Sequence, residues 1–94
     1  MVKDIKIGDL VTLGRIKIGY IKSIKEDAFF HITVEWNGTP RRNQVHKVFD
    51  TVRPFVYGGD VGVRIAKQKY RARIMSASLT IDIVGTVEIV MRVR

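Results

Sequence analysis

Apolar residues in this chain recur at every second position, and that period limits the available folds more than any other feature. In residues 29–36, Phe30, Ile32, Val34 and Trp36 fall on one face and Phe29, His31, Thr33 and Glu35 on the other. This is the alternation of a strand with one buried and one wet face. Few windows of eleven or more residues hold a clean 3.6-residue stripe, so the chain reads as all-β. The strand stops at Asn37-Gly38, a dipeptide suited to a tight hairpin turn, and Pro40 delays re-entry into a ladder. The return strand is expected over residues 43–49.

Gly8-Asp9 separates residues 3–7 from a strand over 10–13. Residues 16–24 are β-branched enough for a second strand, but Ile18, Tyr20 and Ile24 share one parity and Ile21 has the other. A bulge or bend near Gly19 reconciles them, because one extra residue sends every later side chain to the opposite face. Residues 50–54 read as a short turn or single-turn helix, and Tyr57-Gly58-Gly59-Asp60 as strong punctuation. Three or four strands follow. Val61, Val63 and Ile65 alternate with Gly62 and Arg64, Tyr70, Ala72 and Ile74 alternate with Lys69, Arg71 and Arg73, and then come residues 79–84 and 86–93, with Gly85 at the last turn.

With 94 residues there is room for one domain and one modest core. The chain has no cysteine, so it holds by packing alone, without disulfides or a thiolate zinc site. The cytoplasm is the expected compartment. No apolar run approaches the roughly 20 residues of a membrane span, and residues 1–9 carry charges where a signal peptide would be apolar.

Gly8-Asp9-Leu10-Val11 entering the first strand, Gly19-Tyr20-Ile21 in the second, Ile32-Thr33-Val34-Glu35-Trp36 before Asn37-Gly38 in the third, and residues 45–52 closing the set together define residues 6–55. In order and spacing this segment resembles an SH3-like small barrel of the KOW and Tudor kind. The resemblance implies a barrel whose loops and one sheet face bind nucleic acid, a peptide or a partner protein. The expected architecture is an SH3-like small barrel with additional C-terminal antiparallel strands. Residues 1–94 then form a single domain, 6–55 being the barrel-like portion and 58–94 a C-terminal β extension.

Charge supplies the functional expectation. Seventeen basic residues against nine acidic give a formal net charge of +8, which points to an anionic partner. Arg64, Lys67, Lys69, Arg71 and Arg73 follow one another with no acid between them. In a strand, Lys69, Arg71 and Arg73 project from one face and can follow a phosphate backbone, with Arg64 and Lys67 beside them. The competing reading is a solvated face whose charges discourage edge-to-edge pairing. Arg41 and Arg42, with His46 and Lys47 downstream, form a second basic cluster near Trp36. Strand parity makes Trp36 a core or rim residue before a ligand platform. Phe29, Tyr20 and Tyr57 are the candidate exposed aromatics, which a Tudor-type cage would use.

Catalysis finds no constellation. His31 and His46 are the only histidines and have no ligand-spaced partners for a metal, and Ser76 and Ser78 have no base in a known motif. Neither an enzyme nor a cofactor is expected. The sequence therefore reads as a non-enzymatic module contacting the backbone of DNA or RNA through Arg41, Arg42, Lys47, Arg64, Lys67, Lys69, Arg71 and Arg73. The alternative is a small assembly protein, for example of a phage particle, that oligomerises or binds a protein partner by sheet addition through residues 79–93.

Overall fold

A computed structural model describes residues 4–35, 42–80 and 85–94, with backbone alone for 42–45. Six strands form a closed antiparallel barrel: β1 (Leu10–Leu13), β2 (Ile16–Glu26), β3 (Phe30–Glu35), β4 (Val61–Ile65), β5 (Gln68–Thr80) and β6 (Thr86–Val93). Around the wall the order is β1-β2-β3-β6-β5-β4, and β4 returns to pair with β1. The C-terminal strands expected from the sequence are thus half of the wall, and the ring closes only through them. The all-β reading holds, and the closed six-stranded antiparallel barrel is compatible with a small SH3-like barrel.

Strand alternation builds the core. Phe30, Ile32 and Val34 of β3, Val61, Val63 and Ile65 of β4, and Val87, Ile89 and Met91 of β6 all point inward and are buried. No buried residue among those described is polar or charged. The bulge expected near Gly19 is present: Val11 faces Gly19 while Thr12 faces Lys17, so Ile18 is the extra residue. That slip lets Ile18 and Ile21, of opposite parity, both enter the core. A second bulge at Lys22 restores Ile24 to the inner side opposite Ile32, and a third places Met75 outside the register of β5 with β6. All three lie in the two longest strands, where bending and extra twist close the sheet. Gly19 itself has φ +140°, and a Cβ there would sit 2.6 Å from the Glu35 carbonyl oxygen.

Three expectations need correction. Residues 43–49 are not a return strand but lie within helix α1 (Arg42–Val52). Val45, Val48, Phe49 and Val52 are spaced i, i+3, i+4, i+7, an apolar helical stripe. Val48 and Val52 are buried and Phe49 packs against the core, with α1 resting on β5, β2 and β6. Pro54 ends the α-helix, and a single 3-10 turn, η1 (Arg53–Phe55), follows, so the short turn or single-turn helix expected over residues 50–54 is instead divided between the last turn of α1 and η1. Second, Leu79 does not open a separate strand, because β5 runs unbroken from Gln68 to Thr80. Third, β6 is not a free edge, since it pairs with β3 on one side and β5 on the other. Val56 makes an isolated bridge to Ile74, and α1 and η1 pack against β5. The Asn37-Gly38 hairpin, Trp36, Pro40, Arg41 and residues 81–84 lie outside the described residues.

Candidate nucleic-acid interface

The outer wall carries the charge because the inner positions are all apolar. On β4, Gly62 and Arg64 face out between Val61, Val63 and Ile65, and on β5 Lys69, Arg71 and Arg73 are exposed. Barrel closure then adds what chain order hides. Thr12 pairs with Lys17 on one side and with Arg64 on the other, and Arg64 pairs with Lys69. Lys17, Thr12, Arg64 and Lys69 therefore stand in one row across four strands, about 14 Å from end to end at the usual strand spacing.

Beside this row lies a groove of about 470 Å³, lined among others by Arg15, Lys17, Arg64 and Lys69. Its lining includes Gly14 and Gly62, and a Cβ at either would meet nothing within 4 Å. The Gly14 N–H donates to the Gly62 carbonyl (2.8 Å), tying the β1–β2 turn to β4 at this point. Gly14, at φ +63°, gives that two-residue turn its left-handed position.

Among the described residues no acid lines the groove. Among the described residues, Asp60 engages Arg73 (3.7 Å) and Arg94 (3.2 Å), Asp27 engages Lys25 and His31, and Glu35 engages Lys22. None of these pairs includes Arg15, Lys17, Arg64, Lys69 or Arg71. Arg64 and Lys69 are directly opposite each other, an arrangement of like charges that costs stability.

The structure thus divides the residues singled out from sequence. Arg64 and Lys69 share the groove, and Arg71 stands in the next row opposite Gly62. Lys67 sits in the β4–β5 turn after Ala66, whose φ is +55°. Arg73 projects outward as expected but is held by Asp60. Lys47 is exposed on α1, away from the groove lining, and Arg42 begins that helix. Arg15, Lys17, Arg92 and Arg94 were not anticipated. Arg92 is exposed on β6 opposite Arg73, and the Arg94 N–H donates to the Arg71 carbonyl. Arg15 and Lys17 carry no local mark, because only the pairing of β1 with β4 brings them beside Arg64.

The aromatics do not gather. Tyr20 pairs with Leu10 and Glu35, whereas Phe29 lies at the other end of the β2–β3 hairpin, about 20 Å away by strand rise. No cage joins those two. Tyr57 is 90% exposed. Tyr70 is half-buried and donates its hydroxyl to Gln68 Oε1, while burial, and next the Asp4 carboxylate, push its phenol above the ordinary value. His31 and Asp27 form a separate pair at 3.0 Å. The Phe29 N–H, followed by the bond to His31, holds the Asp27 carboxyl below its usual range.

Among the described residues no three His, Asp or Glu side chains converge as metal ligands, and no helix is long and apolar enough to cross a membrane. Comparison with protein-family models, with curated proteins and with solved structures gives no match for this chain.

Proposed function

We propose that this protein binds nucleic acid through the phosphate backbone, with Arg15, Lys17, Arg64 and Lys69 at the centre of the contact surface and Arg71 beside them. The observation that carries this reading is the facing pair Arg64 and Lys69, set against a groove with no acid among its described lining residues. Folding alone gains nothing from such a pair, whereas a phosphate between the two converts repulsion into two charge-assisted hydrogen bonds. The likeness to KOW and Tudor barrels, in which a sheet face and loops bind the ligand, agrees with this reading. Lys67, Arg73, Arg92 and the helix cation Lys47 then extend the positive field around the centre. Phosphate contacts of this kind position a strand and carry little sequence information.

The test is a salt titration of binding to a mixed-sequence oligonucleotide. Replacing Arg64, Lys69 and Arg71 together by Ser is expected to weaken binding about equally for all sequences. The log-log salt slope on duplex DNA should shrink by roughly 2 to 3, at about 0.9 per lost phosphate contact. An unchanged affinity and slope would show the wall to be a solvated face. Both edges of β6 are taken, so sheet addition by a partner would use the β4-side edge of β5 beyond Ala72, which among the described residues has no partner within the six strands. A stable oligomer that ignores the oligonucleotide is the outcome that favours the assembly function.

A further inference from the structure

We infer that the nucleic acid taken by this face is single-stranded, its backbone laid in the groove and along β5 and a base stacked on Tyr57. This inference rests on the nucleic-acid reading above. Two independent features lead to it.

The first is shape. The groove, at about 470 Å³, falls in the range of recesses that enclose a small-molecule-sized group. Gly14 and Gly62 leave two points of its lining without a side chain, and four cations stand around it. A recess of these dimensions admits the phosphate and sugar of one unpaired nucleotide. A duplex presents its phosphates on the outside of a stiff rod, which meets a ridge better than a hollow.

The second is Tyr57. Its φ of +63° lies in the left-handed region, which costs energy for a bulky L-residue, although Gly58 and Gly59 follow immediately and would take that conformation freely. The ring is nevertheless 90% exposed, so core packing does not account for it. The Tyr57 N–H donates to the Ile74 carbonyl, and Val56 bridges Ile74, fixing this segment beside β5. A side chain held outward by a strained backbone is a candidate for function.

The two features are connected by β5. Between Lys69 and Ile74 the exposed residues are Arg71 and Arg73. At about 3.3 Å per residue, the point where Tyr57 is anchored is about 17 Å from Lys69, and the cations between recur about every 6.6 Å. That interval is within reach of one nucleotide of an extended strand. Arg73 is shared with Asp60, so Lys69 and Arg71 form the part of the track outside the ion pairs among the described residues. A cationic track leading toward an exposed ring has the two parts that sequence-tolerant single-strand binding uses, since every base offers a π face.

The experiment measures the full chain binding to one labelled mixed-sequence oligonucleotide, first as a single strand and then annealed to its complement, at fixed salt. Wild type should bind the single strand more tightly. Tyr57→Ala should weaken single-strand binding by about 5- to 150-fold, the loss that removing one stacked base produces, and leave duplex affinity unchanged. Tyr57→Phe should keep wild-type affinity, because the ring and not the hydroxyl stacks. Thermal unfolding of both variants checks that the fold is intact. Duplex bound as tightly as single strand, or Tyr57→Ala binding the single strand like wild type, overturns the inference and leaves the basic-face reading standing. Equal losses in the Phe and Ala variants would also overturn it. If wild type binds neither form, the nucleic-acid reading fails, and this inference fails with it.

Discussion

Gly62→Glu separates binding from folding more cleanly than removing cations does. Gly62 sits mid-strand in β4, its φ lies outside the left-handed region, and an added Cβ meets nothing within 4 Å. A glycine inside a strand costs roughly 0.5–1 kcal/mol relative to a residue with a side chain. The new carboxylate would stand opposite Arg71, and a cross-strand pair of opposite charge adds about 0.2–1 kcal/mol. The variant should therefore be about 1 kcal/mol more stable than wild type, a rise in Tm of roughly 4–8 °C for a domain of this size. Binding should move the other way, because the side chain fills the groove and its charge occupies a cation that would otherwise meet phosphate. A single phosphate contact multiplies affinity by the salt concentration to the power of about −0.9, roughly 5- to 6-fold at 0.15 M relative to 1 M. If two contacts are lost, oligonucleotide affinity at 0.15 M should fall by about 30-fold and the slope by about 1.8. Paired melting curves and anisotropy titrations measure both quantities, with Gly62→Ala as the control that gains stability without adding charge. A variant that is more stable and binds as before would show that nucleic acid does not enter the groove. A less stable one would contradict the open surroundings of Gly62.

Gly19→Ala should destabilise the barrel by about 3 kcal/mol or more, combining overpacking with a left-handed backbone, since its methyl would lie 2.6 Å from the Glu35 oxygen and 2.7 Å from Val34 Cγ1; urea unfolding measures it. Asp60→Asn should change stability by less than about 1 kcal/mol, as both its ion pairs are partly exposed, yet steepen the salt dependence of binding by releasing Arg73 and Arg94. Because the folded Asp27 carboxyl lies below its ordinary 3.8, its contribution to stability is complete above that pH and is lost as pH falls through the lower folded value. The Tm of Asp27→Asn should accordingly decline less steeply than that of wild type below pH 3.8.

Where each strand alternates on its own, the fold was legible. Residues 30–34, 61–65 and 87–91 could be assigned to core or solvent by parity, and the conflict between Ile18 and Ile21 required the bulge that Gly19 permits. Helix α1 was missed because His46-Lys47 and Phe49-Asp50 also fit a ragged strand, and only the spacing of Val45, Val48, Phe49 and Val52 marks the apolar stripe. The end of β5 was misplaced because residues 75–79 change parity at Met75, which imitates the start of a new strand. The site was half legible for a related reason. Arg64 and Lys69 lie on a local hairpin, so period two places them together, whereas Arg15 and Lys17 join them through β1–β4 pairing across about fifty residues of chain. Nothing local in the sequence encodes that closure.

The bulge at Met75 links the fold to the charge. Before it, odd-numbered residues of β5 face out, which exposes Lys69, Arg71 and Arg73 and turns Ala72 and Ile74 inward. After it the parity reverses. Ser76 and Ser78 lie opposite Val90 and Glu88, and Ala77 and Leu79 pack inward opposite Ile89 and Val87. With strict alternation through thirteen residues, Ala77 and Leu79 would face water on the same side as the cations, and both serines would enter an apolar core. Burying an unpartnered hydroxyl is costly, so the extra residue is needed to keep both halves of β5 consistent with one interior. The same slip ends the basic row at Arg73, beside Asp60 and the bridge from Val56 to Ile74 that precedes Tyr57. Where the basic row ends therefore follows from how the longest strand bends to close the barrel.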